Sequence, residues 1–275
     1  MMKKILYILL FLAMTAYADR QRYETLRNYC VLQLKCNDNA DSNVVLDSSP
    51  YGNHATMHAI FEGFDPPDNM EDTSYSHVTG LVGSGAFTIN DFPLGNFGII
   101  QIPDCPAIQF GTGSYTVCFW LKSASLGSDK SVVFYKGDEL RIHLQNVEGS
   151  DIDFSLGIGD NIELNTSHYA DDTPHMITMV RDCTAKKAYI YNNAVLDGPV
   201  IGFTSAADVS YAGSDIFIGA PDGSYEETGK HTVFVLDNFM LFNRALTQAE
   251  ISWLYVNGED MNYLETKDRN RSRYE

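Results

Sequence analysis

The stretch LDNFMLFNRALTQAEISWLY, residues 236–255, joins an apolar run to a polar start signal for a helix. The apolar run is typical of a buried β-strand, but it contains one carboxylate, Asp237. A carboxylate inside an apolar strand costs several kcal/mol unless a cation or hydrogen-bond donors compensate its charge. The sequence therefore predicts either a partner for Asp237, or a side chain that points outward or caps a turn.

The second half of the same stretch predicts a short helix. Thr247 stands three residues before Glu250, which is the spacing of a capping box. Leu246 and Ile251 flank this start and can form a hydrophobic staple across it. The Asn-Gly pair at residues 257–258 is a typical helix stop, because both residue types tolerate the left-handed backbone that closes a helix.

Short alternating or apolar runs, broken by Gly, Asn, Asp and Ser, recur along the chain at spacings of roughly ten residues. They fall at 30–34, 97–102, 115–121, 131–135, 140–144, 152–158, 175–180, 188–191, 215–218 and 233–242. This pattern predicts an all-β protein, a two-sheet antiparallel β-sandwich of the jelly-roll type with a short C-terminal helix. No break in composition marks a second domain, so we expect one domain over residues 19–260.

The first 18 residues have the three parts of a secretory signal peptide. A basic pair is followed by an apolar run over residues 5–14 and by an A-x-A cleavage pattern at residues 16–18. The apolar run is shorter than the roughly 20 residues that a membrane span needs. We therefore expect a protein that is secreted, lies at the cell surface or, in a bacterium, is periplasmic. Residues 261–275 are charged, and we expect them to form a frayed tail.

The charge balance is strongly acidic. The 275 residues include 36 Asp and Glu against 19 Lys and Arg, which gives a formal net charge of −17. Such a field repels nucleic acid and anionic membrane surfaces, and it favours cations. The composition therefore argues against a nucleic-acid partner.

The cysteines do not predict a disulfide-stapled fold. The chain has five of them, and an odd number leaves at least one thiol unpaired in a monomer. If Cys30 and Cys36 share one strand, their sulfurs lie about 20 Å apart, beyond the reach of a disulfide bond. We expect mostly buried thiols, with at most one or two disulfide bonds.

Five blocks resemble, in the same order, the laminin-G-like and concanavalin A-like jelly-roll family. They are GLVGSGAFTIND (80–91), IIQIPDCPAIQFGTGSYTVCFWLKS (99–123), HMITMVRDCTAKKAYIYNNAVL (175–196), IFIGAPDG (216–223) and LDNFMLFNRALTQAEISWLY (236–255). Together these blocks cover roughly residues 30–258. The resemblance implies the two-sheet jelly roll that the strand pattern also predicts.

The segment VLDSSPYGNHATMHA, residues 45–59, resembles a loop of this family that helps to bind calcium. It departs from the family pattern at residues 50–51, where Pro-Tyr replaces the usual glycine-containing step. The resemblance implies a Ca²⁺ ion between this loop and the last strand. Asp47 and Asn53 of the loop, and Asp237 of the strand, would supply the oxygen ligands that calcium prefers.

An enzymatic function has little support in the motifs. Glucanases on this jelly roll carry a strand motif of the form E-x-D-x-x-E, whose glutamates are catalytic. The nearest match is GSDIDFSLG (149–157), which places Asp151 and Asp153 on one strand face but has Leu156 in place of a third carboxylate. The sequence also lacks G-x-S-x-G, H-E-x-x-H and P-loop patterns.

Aromatic residues that we expect to be exposed on loops are the candidates for ligand contact, since loops carry recognition on a β-sandwich. They are Tyr169, Tyr211 and Tyr225. Trp120 lies within a predicted strand and Trp253 within the predicted helix, so both are expected to pack in the interior.

These observations predict a secreted, non-catalytic binding module with a structural Ca²⁺. Its expected partner is an extracellular carbohydrate or a matrix or surface protein. A glycoside hydrolase or lyase on the same sandwich is one alternative, and a purely structural surface protein is the other, because one sandwich fold hosts many activities.

Overall fold

Two antiparallel β-sheets and two helices make up the computed structural model. It describes residues 2–37, 43–61, 75–78, 81, 86–89, 96–124, 131–137, 140–145, 151–157, 162–164, 169, 171–219 and 234–257. The strands are β1 (Cys30–Leu34), β2 (Val44–Val45), β3 (Ala55–Phe61), β4 (Tyr75–Val78), β5 (Ala86–Ile89), β6 (Asn96–Ile102), β7 (Tyr115–Lys122), β8 (Ser131–Tyr135), β9 (Leu140–Gln145), β10 (Asp151–Leu156), β11 (Ile162–Leu164), β12 (His175–Asp182), β13 (Lys187–Asn192), β14 (Val195–Leu196), β15 (Ile201–Gly202), β16 (Ile216–Ile218) and β17 (Phe234–Phe242). The helices are α1 (Met2–Tyr29) and α2 (Gln248–Asn257), and Pro106–Ile108 form a short 3-10 helix.

The order of the strands confirms the predicted antiparallel sandwich. The first sheet runs β14-β13-β12-β7-β17-β5-β4, with β1 also paired to β17 and β15 to β13. The second sheet runs β11-β10-β9-β8-β16-β6-β3-β2. All ten strands predicted from the sequence are present. The strands that were not predicted are short, lie between residues 44 and 89, or lie beside a loop. In these places few residues alternate clearly enough between apolar and polar to be recognised as a strand.

Strand β7 shows why the first sheet is buried on both faces. Val117, Phe119 and Leu121 belong to the core between the sheets. Cys118 and Trp120 alternate with them and belong to a second apolar cluster. Because successive side chains of a strand point to opposite faces, this second cluster lies on the outer face of the first sheet.

Two helices contribute to the second cluster. Tyr23 and Leu26 come from α1, and Ile251 and Trp253 come from α2. A side chain of this size contributes roughly 1.5–3 kcal/mol when it is fully buried. The short C-terminal helix was predicted, but the contribution of α1 was not, because two apolar residues three apart are a weak helical signal.

Helix α2 begins as the sequence predicts. The backbone N–H of Glu250 donates to Thr247 Oγ1 at 3.3 Å, and the N–H of Thr247 donates to Glu250 Oε2 at 2.8 Å. Leu246 and Ile251 are both buried in the second cluster. The helix ends at Asn257. The capping box is therefore confirmed.

The expected leader forms the first part of α1. The helix runs without a break through the predicted cleavage pattern at residues 16–18. Before this point Tyr7 and Met14 are 71% and 65% exposed, whereas Tyr23 and Leu26 after it are buried. No helix of the described chain is both long and apolar enough to cross a membrane. The signal peptide and the domain limits 19–260 stay predictions, and the tail at 261–275 lies outside the described residues.

The cysteines are mostly buried, as expected. Cys30, Cys36 and Cys118 are buried, and Cys105 and Cys183 are half-buried. None of the five, all of which lie in the described residues, forms a disulfide bond. Burial is the main influence on the Cys118 thiol and raises its pKa to about 12. The sequence allowed at most one or two disulfide bonds, and none is formed in this structure.

Candidate functional site

Asp47 organises the loop between β2 and β3. Its Oδ1 accepts hydrogen bonds from the N–H groups of Gln33 and Ser49, both at 2.8 Å. Its Oδ2 accepts from Ser49 Oγ and from the N–H of Asn53, both at 2.7 Å. An ionised carboxylate offers about four acceptor positions. These four donors, three from the loop itself and one from Gln33 of β1, therefore satisfy the buried charge of Asp47.

Asp237 lies at an irregularity of β17. It pairs with Trp120 on β7, and the register between the two strands then shifts between Asp237 and Met240. Asn238, the residue inside the shift, has a left-handed backbone with φ of +46°. An extra residue in a strand reverses which face the following side chains reach. The carboxylate of Asp237 is fully buried, so the sequence-based alternative that it points outward is wrong.

Gln33 of β1 links the two places where the sequence predicts calcium ligands. Its backbone N–H donates to Asp47, as described above, and its side-chain Nε2 donates to Asn238 Oδ1 at 3.0 Å. The side-chain hydrogen bond of Gln33 therefore goes to Asn238, the neighbour of Asp237, rather than to Asp237 itself. Sequence reasoning missed both Gln33 and Asn238, because neither belongs to an acidic motif.

The predicted calcium ligands would belong to the six to eight oxygen atoms that a Ca²⁺ ion binds. Among the described residues, no group of three or more His, Cys, Asp or Glu side chains could hold a metal ion. Asn53 already donates its Nδ2 to the carbonyl of Pro103 at 2.8 Å, which leaves its Oδ1 for another partner. A Ca²⁺ ion at Asp47 would have to replace at least one of the hydrogen bonds described above. Calcium binding by Asp47, Asn53 and Asp237 stays a prediction.

The aromatic residues predicted from loops lie in different surroundings. Tyr169 is only 1% exposed, its hydroxyl donates to Asp197, and its ring meets His175 edge-on, so the expectation of an exposed ring is wrong. Tyr211 is half-buried against Gly137, where an added Cβ would lie 2.5 Å from the tyrosine ring. Tyr225 lies outside the described residues.

The two tryptophans are buried, as the sequence predicts. Trp120 and Trp253 are each 8% exposed within the second cluster. The ring of Trp120 stacks on Tyr255 of α2 with centroids 5.5 Å apart. Their rings are therefore packing groups that hold α2 on the first sheet.

A cavity of about 720 Å³ lies beside the Asp47 loop, and we call it the loop cleft. Four loop segments line it, with the residues Tyr51, Gly52, Asn53, Cys105, Pro106, Ala107, Gln109, Phe110, Gly113, Ser114, Asn243 and Arg244. Sites for small ligands commonly have volumes of about 300–1,000 Å³. The loop cleft therefore has the size of a binding site for a small molecule or for the end of a longer one.

The lining of the loop cleft combines aromatic surface with amides. Tyr51 is 50% exposed, whereas Phe110 is almost fully buried and belongs to the core. Asn53, Gln109 and Asn243 add three side-chain amides. An exposed tyrosine ring with hydrogen-bonding groups around it suits a ligand that has both an apolar face and polar edges.

Asp104 and Lys136 fix the cleft segment at residues 105–110. The buried Lys136 ammonium contacts Asp104 Oδ1 at 2.7 Å, and Asp104 Oδ2 accepts from Gln109 Nε2 and from the N–H of Gly213, both at 2.7 Å. Burial would raise the pKa of the Asp104 carboxyl, but the hydrogen bonds from Lys136, Gly213 and Gln109 outweigh it and lower the pKa. This network holds Gln109 at the cleft wall before any ligand arrives.

Arg244 and Glu250 close another side of the loop cleft. Arg244 Nη1 and Nη2 contact Glu250 Oε2 and Oε1 at 2.9 and 2.7 Å, a two-point ion pair. The guanidinium also lies 4.7 Å above the ring of Tyr29. Burial would raise the pKa of the Glu250 carboxyl, but hydrogen bonds from Arg244 and from Thr247 outweigh it and lower the pKa to about 2. Glu250 is therefore ionised at neutral pH and matches the charge of Arg244.

Sequence reasoning did not identify the loop cleft. Its lining residues come from four segments that are up to 193 positions apart, from Tyr51 to Arg244. One signal was present: residues 50–51 are where the loop departs from the family pattern, and Tyr51 provides the exposed ring.

A family comparison agrees with the fold. Residues 94–252, more than half of the chain, match the family model described as the concanavalin A-like lectin/glucanases superfamily. The resemblance that the five sequence blocks indicate is therefore confirmed. No curated protein matches the chain.

Similar solved structures include domains that bind ligands. The binding domain of Paraclostridial Mosquitocidal Protein 1 has a TM-score of 0.60 and 16% identity over 84% of this chain and 52% of that one. Domain 4 of AbnA, a GH43 extracellular arabinanase from Geobacillus stearothermophilus in complex with arabinotriose, has a TM-score of 0.56 and 15% identity over 82% of this chain and 98% of that one.

A third similar structure is of botulinum neurotoxin type C, whose cell entry depends on interaction with two ganglioside molecules. It has a TM-score of 0.56 and 12% identity over 85% of this chain and 52% of that one. The chain thus spans about half the length of the two toxin structures and nearly all of the arabinanase domain. At these identities the likeness shows a shared fold.

Proposed function

The chain belongs to the concanavalin A-like lectin/glucanases superfamily, and from this premise we propose that it is an extracellular, non-catalytic module that binds glycans through the loop cleft. The three structural neighbours support a binding role, since two of them are described as binding arabinotriose or gangliosides. These neighbours share little sequence identity with the chain, which spans only about half of each toxin structure. The ligand of this chain is therefore inferred from its own residues.

The observation that carries this proposal is the exposed ring of Tyr51 beside three amides in one cavity. A sugar ring has an apolar face that packs on an aromatic ring and hydroxyl groups that exchange hydrogen bonds with amides. Asp47 holds the loop of Tyr51, and Asp104 holds Gln109 on the opposite segment. Loops fixed before binding lose little conformational entropy when the ligand arrives.

Replacing Tyr51 by Ala tests this proposal. The substitution removes the exposed ring without removing any hydrogen bond of the Asp47 carboxylate. We expect affinity for the best ligand of a glycan array to fall at least about tenfold, or ~1.4 kcal/mol, while the melting temperature stays the same. The measurement is titration calorimetry with that ligand.

Val195→Ala is the matched control, because Val195 is 69% exposed on the edge strand β14 and does not line the loop cleft. It should leave the affinity unchanged. If Tyr51→Ala binds as tightly as the unaltered protein, the glycan site lies elsewhere. If no glycan of the array binds, the glycan proposal is wrong and a protein ligand becomes the better candidate.

We retain a Ca²⁺ ion at Asp47, Asn53 and Asp237 as part of the proposal. When bound, the ion would supply positive charge next to the buried carboxylate of Asp237. Without the ion, Asp47 and Asn53 already position the wall of the loop cleft through the hydrogen bonds with Gln33, Ser49 and Pro103.

A further inference from the structure

We propose that the loop cleft selects neutral saccharides and rejects sialylated, sulfated or uronate-containing ones, an inference that rests on the proposed glycan-binding function. Three features of the described residues support it: a cation that is already neutralised, amide groups whose oxygens can accept hydrogen bonds from a ligand, and the carboxylate of Asp47 behind one wall of the cleft.

Among the described residues, Arg244 is the one charged residue that lines the cleft. A lectin that selects an anionic sugar needs an available cation, since ionised carboxylates and sulfates bind best through charge-assisted hydrogen bonds. Both terminal nitrogens of Arg244 are already committed to Glu250 at 2.7–2.9 Å, and the flat face of the guanidinium lies on Tyr29. The same Glu250 also accepts from the N–H of Thr247 at the start of α2, so it cannot leave Arg244 without disturbing the helix.

The amides of the cleft suit ligands that can donate hydrogen bonds. Asn53 and Gln109 each donate one side-chain N–H to the protein, at Pro103 O and Asp104 Oδ2, so each amide offers a ligand its second N–H and its carbonyl oxygen. The carbonyl oxygens of these two side chains can only accept. A sugar hydroxyl both donates and accepts, whereas an ionised carboxylate only accepts. Neutral hydroxyl groups are therefore the better match for this wall.

The charge behind one wall of the cleft and the net charge of the chain also disfavour an anion. Asp47 accepts from the N–H of Asn53, and the four donors given above are N–H and hydroxyl groups rather than charged ones, so the carboxylate adds negative charge behind this wall. On the other wall, Lys136 matches the charge of Asp104. The net charge of −17 adds a long-range repulsion of anionic ligands.

The direct test is a glycan array in which neutral glycans are paired with their sialylated, sulfated and uronate-containing counterparts. We expect each neutral glycan that binds to lose at least about tenfold in affinity when an anionic group is added at the bound end. Binding of the neutral ligand should change little between low and high salt, because screening affects only charged pairs.

A second variant tests the physical reason. Asn243 lines the cleft with an exposed side chain, and only its backbone N–H donates, to Tyr29 O at 3.0 Å. Asn243→Lys adds a cation that Glu250 does not neutralise, since that carboxylate is occupied by Arg244. We expect this variant to bind the sialylated partner of each pair about tenfold more tightly than the unaltered protein, with a gain that salt removes.

Val256→Lys is the control of equal charge, because Val256 is 77% exposed on α2 and does not line the cleft. It should not gain affinity for anionic glycans. If the unaltered protein prefers anionic glycans and Tyr51→Ala abolishes their binding, the selectivity inference is wrong and the glycan-binding proposal stands. If no glycan binds, the glycan-binding proposal fails and the inference fails with it.

Discussion

At the scale of single residues, Arg181 is a charged side chain that stabilises the interior of the fold. It is fully buried at the end of β12, beside the ring of Tyr115 at 4.7 Å. Its guanidinium donates six hydrogen bonds to five backbone carbonyls, those of Gly111, Gly113, Leu156, Gly157 and Ala207, at 2.7–3.3 Å. Carbonyl dipoles of three loops thus replace the water that a buried cation would otherwise keep.

We expect Arg181→Met to lower the free energy of unfolding by about 3–5 kcal/mol, because it leaves five buried carbonyls without their donor. Arg181→Lys should restore only part of the loss, since an ammonium has three donors and cannot reach all three loops. Urea unfolding followed by tryptophan fluorescence measures both. Lys187→Met, at an exposed position of β13, is the control and should change stability by less than about 0.5 kcal/mol. A full rescue by lysine would contradict this role.

At the scale of elements, helix α2 joins the folding of the first sheet to the shape of the loop cleft. Glu250 is the last residue of the capping box that Thr247 begins, and it is also the partner of Arg244 at the cleft wall. Buried Ile251, Trp253 and Leu254 hold the helix on the outer cluster. The Glu250 carboxylate therefore stabilises the start of α2 and also neutralises the charge of Arg244 at the cleft wall.

The stability contributed by Glu250 should depend on pH. Its folded pKa of about 2 lies below its ordinary value of 4.5, so the ionised form stabilises the fold fully above about pH 4.5. That contribution is lost as the pH falls from 4.5 towards 2. We expect Glu250→Gln to lower the free energy of unfolding by about 1–2 kcal/mol at pH 7, a value reduced for the partial exposure of the pair.

Urea unfolding of Glu250→Gln and of the unaltered protein, from pH 7 to pH 2, measures this contribution. The difference between them should shrink below pH 4.5 and disappear near pH 2. Glu24→Gln, at a half-buried position of α1, removes the same charge outside the pair and should show no such trend. A difference that stays constant over this range would show that the Glu250 charge is not the cause.

At the scale of the whole molecule, the two ends of the described sandwich are joined side by side. β1, the first strand, pairs with β17, the last, from Cys30–Phe242 to Leu34–Phe239. The loop of Asp47 is bonded to the same β1 through Gln33, and Leu34 forms a bridge with Asp47. The loop of Asp47, the first strand and the last strand therefore depend on one another. We expect the loss of one contact among them to affect all three.

Asp47→Ala tests this dependence together with the calcium proposal. Removing the carboxylate leaves four donors without their acceptor, so we expect a loss of about 2–4 kcal/mol in unfolding free energy, measured in EDTA. If calcium binds, millimolar Ca²⁺ should raise the melting temperature of the unaltered protein but not that of the variant. Equal melting temperatures in calcium and in EDTA, for protein shown to be metal-free, would remove calcium from the proposal and leave the hydrogen-bonding role.

The sequence alone determined the local features of this protein. Alternation located ten strands, and the Thr247–Glu250 spacing located the start of α2, because both depend on residues near one another in the chain. The ordered blocks also identified the family. The burial of Trp120 and Trp253 followed from their places inside a strand and a helix.

The tertiary structure decided what lies opposite each residue. The sequence placed Asp237 in a buried strand, but the register shift at Asn238 and the link through Gln33 depend on which strands pair. Tyr169 was expected on the surface and is buried, because a loop assignment does not say what covers the loop. The loop cleft combines segments from residue 51 to residue 244, and only folding brings such distant segments together. Periodicity fixes the face on which a side chain lies, whereas its neighbours across that face are set by the packing of the whole chain.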